Sequence, residues 1–79
     1  MKYSEIATEL IRANGLKYST LGARIGISGN TARERSLLKN PTLKKMQELL
    51  RVMDYKVQVV PRDTRTPKGG YELEYVEED

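Results

Sequence analysis

Seventy-nine residues without a cysteine or a histidine exclude a disulfide framework, a thiolate metal site and the usual imidazole base. With 38% hydrophobic and 32% charged residues the composition is that of one small globular domain, and no apolar run is long enough to span a bilayer. The net charge of +3 is unevenly spread. Residues 1–45 carry nine bases (Lys2, Arg12, Lys17, Arg24, Arg33, Arg35, Lys39, Lys44, Lys45) against Glu5, Glu9 and Glu34, whereas residues 46–79 are net acidic. A polyanion is a plausible partner for the basic half.

In chain order, Ile6, Leu10 and Ala13 repeat at helical spacing and predict helix 1 over Ser4–Ala13, capped by Ser4 and stopped by Asn14-Gly15. Helix 2 is expected over Tyr18–Ile25, with Leu21 and Ile25 inward. Gly26 then stands where the chain must turn sharply. Ser28 is the natural cap of helix 3, Gly29–Leu37. Asn40-Pro41-Thr42 breaks the chain, and Thr42 caps helix 4, Leu43–Met53, with an apolar stripe at Leu43, Met46, Leu49, Leu50 and Met53. After Tyr55 the period changes to two. Lys56–Val60 and Tyr71–Tyr75 read as strands of a hairpin joined by the turn-rich segment Arg62–Gly70, followed by an acidic tail, Glu77–Asp79. Residues 1–55 and 56–79 thus form two sections of one small fold, mainly α with a C-terminal β-hairpin.

Two short helices joined at Gly26-Ile27-Ser28 have the helix-turn-helix layout, in which the second helix enters the DNA major groove. Asn30, Arg33 and Glu34 share one face of helix 3. As readers of base edges they suit adenine, guanine and cytosine respectively; the plainer alternative is a solvated face with an internal Asn30–Glu34 contact. Lys17, Tyr18 and Ser19 open helix 2, where a phosphate fits, although Tyr18 alternatively covers the core edge. Ser28 is a cap that also stands at the groove mouth. Lys39, Asn40, Lys44 and Lys45 flank the helix 3–4 loop and suit the second backbone strand. The Tyr71/Leu73/Tyr75 stripe and the Val57/Val59 face want cover, from helix 4 or from a second subunit.

These residues together resemble the phage repressor/Cro-like (XRE) helix-turn-helix family. The likeness covers about residues 4–61. It is carried by Gly15-Leu16, Leu21, Ile25-Gly26-Ile27-Ser28, Thr31, Asn40-Pro41-Thr42-Leu43, and Leu49-Leu50-Arg51 running into Tyr55–Pro61. The resemblance implies a four-helix repressor-like domain that binds operator DNA as a homodimer and regulates transcription, as a repressor in a phage or mobile element. By position, Ser28, Gly29, Asn30, Arg33 and Glu34 match the family's DNA-facing residues, and Tyr18 stands where many members place a phosphate-contacting glutamine. Three departures stand out. Gly22 replaces the usual small alanine, at a cost in helix propensity. Gly29 leaves a base-reading position without a side chain. Arg35 falls where many members are apolar.

The expected partners are double-stranded DNA and a second copy of the chain, and the expected setting is cytoplasmic, with no membrane, cofactor, metal or catalytic role. The rival is a helix-turn-helix module diverted to protein binding, such as a phage anti-defence (anti-CRISPR-type) inhibitor or an antitoxin.

Overall fold

The computed structural model describes residues 1–75; the expected acidic tail, Glu77–Asp79, lies outside them. Four helices follow one another: α1 (Tyr3–Ala13), α2 (Tyr18–Ile25), α3 (Gly29–Ser36) and α4 (Leu43–Arg51). The fold is mainly α, as expected. Helix α2 has the bounds that the sequence predicts. The ends of α3 and α4 fall one and two residues earlier than expected, and α1 begins one residue earlier.

Helix α1 is the centre of the core. Tyr3, Ile6, Ala7, Leu10 and Ile11 fall on one stripe at i, i+3, i+4, i+7 and i+8, and all five are buried. Ala13, the last residue of the expected stripe, is exposed. Leu21 from α2, Ala32 from α3, Leu49 and Leu50 from α4, and Met53 just beyond complete the cluster. Leu10, Leu21 and Leu49 are fully enclosed. Leu43 of the expected α4 stripe is exposed, because it opens the helix above the core edge.

Ser4 does not cap α1. The helix starts at Tyr3, and the Glu5 carboxylate accepts from the Lys2 backbone N–H at 2.8 Å. One orphan donor is thereby satisfied from inside the first turn, where an acid also suits the dipole. At the other end Leu16 N–H returns to Ile11 O and Gly15 N–H to Arg12 O, both at 3.0 Å, with Gly15 at φ +62°. This is the Schellman pattern of a helix stop. Helix α2 ends similarly: Gly26 has φ +90°, and Ile27 N–H reaches Gly22 O at 2.8 Å. After α4 the same pair of bonds recurs, Tyr55 N–H to Leu50 O and Asp54 N–H to Arg51 O, but Asp54 takes the left-handed position at φ +62°.

No strand is present among the described residues, so the expected hairpin is not seen. The reason lies in the connection. Two separate turns, closed by Thr64 N–H to Pro61 O (3.0 Å) and Gly70 N–H to Pro67 O (2.9 Å), break the path between the two extended segments. Residues 71–75 run instead beside the start of the chain. The Met1 nitrogen donates to Glu72 O, and Glu74 N–H donates to Met1 O, each at 2.9 Å. This is the bond pattern of a single parallel bridge centred on Met1 and Leu73. Tyr55 fixes the near end of the segment: its hydroxyl donates to Gly69 O at 2.9 Å, and its ring lies 6.3 Å from that of Tyr71.

Gly22 is a packing requirement. A Cβ built on it would stand 2.6 Å from Ile27 O and 2.8 Å from Ser28 O, both backbone atoms. An alanine there has no room, and the propensity cost is the smaller term. Gly22→Ala gains about 1 kcal/mol of helix propensity but forces the backbone of the turn apart, a strain of about 1–3 kcal/mol. The expected outcome in thermal or urea unfolding is a net loss of stability. Asp54→Gly acts in the opposite direction: it relieves a left-handed L-residue and removes an acid from a helix C-terminus, and urea unfolding should show a gain of up to about 1 kcal/mol.

Candidate nucleic-acid interface

The turn between α2 and α3 is built from backbone. Gly26 reverses the chain in a left-handed conformation, and Ser28 opens α3. The Ser28 hydroxyl accepts from Thr31 N–H at 3.1 Å and donates to Thr31 Oγ1 at 2.9 Å. Its proton is therefore used inside the cap, and Ser28 meets a phosphate only by giving up the bond to Thr31.

Helix α3 is short of apolar residues, and small residues do the packing. Ala32 and Ser36 are its buried residues, four apart on one face. Ser36 takes the place of an aliphatic side chain without an orphaned hydroxyl, because it donates to Arg33 O at 2.7 Å. Gly29 lies on the inner side too: a Cβ there would come within 3.2 Å of the Ser19 backbone. Gly29 thus holds the starts of α2 and α3 together, and has no side chain to present outward. Arg35, the charged departure at an expected apolar position, reaches across to α4, where its guanidinium lies 3.1 Å from the Glu48 carboxylate. The Arg35 side chain is half-buried beside that pair.

With the inner face so defined, the outer face of α3 carries Asn30, Arg33 and Glu34, all exposed. Among the described residues none of these three side chains forms an ion pair or a side-chain hydrogen bond, so the internal Asn30–Glu34 contact is not made. Beside this face, at the start of α2, Lys17 and Ser19 are exposed, and Lys17 as N-cap supplies no side-chain bond to the first-turn N–H groups. Tyr18 is half-buried against the core, the alternative the sequence left open.

The remaining basic residues flank the α3–α4 connection. Lys39 and Asn40 are exposed in the loop, and Lys44 and Lys45 are exposed in the first turn of α4. Thr42 caps that helix by accepting from Lys45 N–H at 3.2 Å. Lys39, Asn40 and Pro41 also line a small cleft with Tyr3, Met46, Leu73 and Glu74. Tyr3 and Glu74 were not legible as neighbours of the loop, since they lie at opposite ends of the chain. The Tyr3 hydroxyl is buried with no hydrogen-bond partner among the described residues, and burial pushes its pKa up to about 12.

Of the expected interface residues, Val57 and Tyr71 pack partly against the chain's own core. The Tyr71 hydroxyl is shifted up from its ordinary pKa by desolvation first, then by the Glu9 carboxylate and Tyr55. Val59, Leu73 and Tyr75 are exposed. A wider open groove lies along the outer side of α1, lined by Ser4, Glu5, Thr8, Glu9, Arg12 and Leu37, with no convergent set of like groups. Among the described residues no cluster of acids is placed to hold a metal ion, and no helix is long and apolar enough to cross a membrane. In comparisons with family models, curated proteins and solved structures, the chain finds no match.

Proposed function

We propose that this chain is a sequence-specific DNA-binding regulator of the repressor/Cro-like kind, a transcriptional repressor of a phage or mobile element that reads a palindromic operator as a homodimer. The observation that supports it best is the exposed trio Asn30, Arg33 and Glu34 on the outer face of α3, held behind a tight glycine turn and flanked by exposed Lys17, Lys39, Lys44 and Lys45. In this reading α3 lies in the major groove. Arg33 donates two bonds to a guanine edge, Asn30 pairs with adenine, and Glu34 accepts from a cytosine amino group. The lysines hold phosphates on either side and fix the register without reading sequence.

A second copy completes the reading. The exposed Val59, Leu73 and Tyr75 are covered when the extended segments Lys56–Val60 and Tyr71–Tyr75 meet their symmetry mates, which supplies the strand pairing that the single chain lacks. Exposed Leu73 and Tyr75, which alternate with Glu72 and Glu74, also favour a second reading: a helix-turn-helix module that binds another protein.

Affinity for duplex DNA should be measurable at low salt and fall steeply as salt rises, because condensed counterions are released. On a site selected from a random duplex library, Arg33→Ala and Asn30→Ala should each cost about 1–3 kcal/mol and relax preference at particular base pairs. Lys44→Ala should weaken all sequences alike. An unchanged selected sequence with Arg33→Ala removes α3 as the reader, and tight capture of a protein with no duplex binding favours the second reading.

The dimer is tested by residues that the single chain does not use. Val59 is 97% and Tyr75 86% exposed, so Val59→Lys with Tyr75→Lys should leave thermal unfolding of the monomer unaffected. Sedimentation should give a dimer for the wild-type chain at micromolar concentration and a monomer for the double variant. A wild-type chain that sediments as a monomer at high micromolar concentration removes the two-fold arrangement.

A further inference from the structure

Residues 71–75 occupy an unexpected place. They leave the Tyr55–Tyr71 contact, pass the start of α1 and end beside the α3–α4 loop, where Leu73 and Glu74 line one cleft with Lys39, Asn40 and Pro41. Tyr71 is anchored against Tyr55 and the core, but the hold on the segment beyond it is slight. Among the described residues, two backbone bonds to Met1 and a 3.6 Å pair between the Met1 amino group and the Glu74 carboxylate fix it, and Glu72 through Tyr75 are all exposed. Beneath it the Tyr3 hydroxyl is enclosed without a partner, on a residue only 3% exposed. An enclosed hydroxyl with no acceptor marks an arrangement that is not the best available to those atoms.

We propose that residues 71–75 form an acidic strap that, in the free protein, stands beside Lys39 and Asn40 where a DNA phosphate stands in the complex, so that DNA binding requires the strap to part from Met1 and the loop while its opposite edge stays against the second copy. The proposal rests on the DNA-binding reading above. Glu74 brings negative charge into the cleft that Lys39 and Asn40 line, on the side of the loop on which the backbone strand would be held, and Glu72 adds to the charge of the same exposed segment. A phosphate and a carboxylate so placed repel each other, so occupancy by one disfavours the other. When the strap leaves, the Tyr3 hydroxyl regains water or donates to the phosphate, and the bond it lacks in the closed form becomes available. The strap thus acts as an internal competitor. It suppresses weak binding to arbitrary duplex, because only a site that also engages the outer face of α3 offsets the cost of opening.

The test compares two doubly neutralised chains of equal net charge. Glu72→Gln with Glu74→Gln removes the strap's charge. Asp54→Asn with Asp63→Asn removes as much from residues outside the strap and the cleft. Binding to a short random-sequence duplex is measured by fluorescence anisotropy, and exchange of the Glu74 amide hydrogen by NMR. The strap variant should bind about 5-fold or more tighter than wild type, the lower end of ordinary coupling between sites, and the control should gain markedly less. In the wild-type chain the Glu74 amide should exchange slowly when free and faster at saturating duplex. If both variants gain equally, or the Glu74 amide keeps its protection in the complex, the strap is not a competitor while DNA binding stands. If neither variant nor the wild-type chain binds duplex at low salt, the DNA-binding reading fails and the strap proposal falls with it.

Discussion

The arrangement of α2 against α3 depends on a missing methyl group. With hydrogen in place of Cβ at Gly22, the carbonyls of Ile27 and Ser28 lie directly against the helix. This contact sets how sharply the chain turns after Gly26, and therefore where α3 begins. Gly29 repeats the device from the other side, on the backbone of Ser19. The two helices meet backbone to backbone at both places, so their angle is fixed by rigid atoms and not by rotatable side chains. Everything on the outer face of α3 takes its position from that junction.

The rest of the core serves the same junction indirectly. Helix α1 supplies half of the buried apolar side chains, and α4 closes the other side with Leu49, Leu50 and Met53. Helix α3 contributes Ala32 and a self-satisfied Ser36, so apolar burial holds it weakly and its neighbours hold it in place. The Arg35–Glu48 pair adds a polar tie at the solvent edge, where such a pair contributes modestly. The helix that is best placed to present its surface is the one that depends most on the others.

Much of the helical part was legible in the sequence. The repeats Ile6/Leu10 in α1 and Met46/Leu49/Leu50/Met53 at α4, the left-handed glycines at residues 15 and 26 and the caps Ser28 and Thr42 are local signals, and each reports on a few adjacent residues; the buried Tyr3, Ala7 and Ile11 were not read, and Ala13 and Leu43 are exposed. Three departures find their structural reason in a contact distant along the chain. Gly22 looked like a weakness of α2 because the atoms that exclude a Cβ belong to the next turn. Gly29 looked like an empty reading position because the backbone it touches is ten residues earlier. Arg35 looked misplaced because its partner stands on α4. The C-terminal alternation was read as a hairpin because a period of two specifies an extended chain but not its neighbour; here the neighbour is Met1. The outward placement of Asn30, Arg33 and Glu34 followed from helical spacing alone. The approach of Leu73 and Glu74 to the α3–α4 loop had no sequence signal at all.

The division of α3 into a small inner face and a free outer one bears on how such a chain changes over generations. Ala32 and Ser36 are wholly buried, and a Cβ on Gly29 comes within 3.2 Å of the Ser19 backbone, so enlargement there crowds a neighbour. Asn30, Arg33 and Glu34 face solvent, and replacing them disturbs no packing. Selection on the outer face is thereby uncoupled from selection on folding. Substitutions on the outer face, glycine and proline apart, draw little from the stability margin. A scaffold of this kind can explore new contact surfaces one residue at a time without passing through an unfolded intermediate sequence.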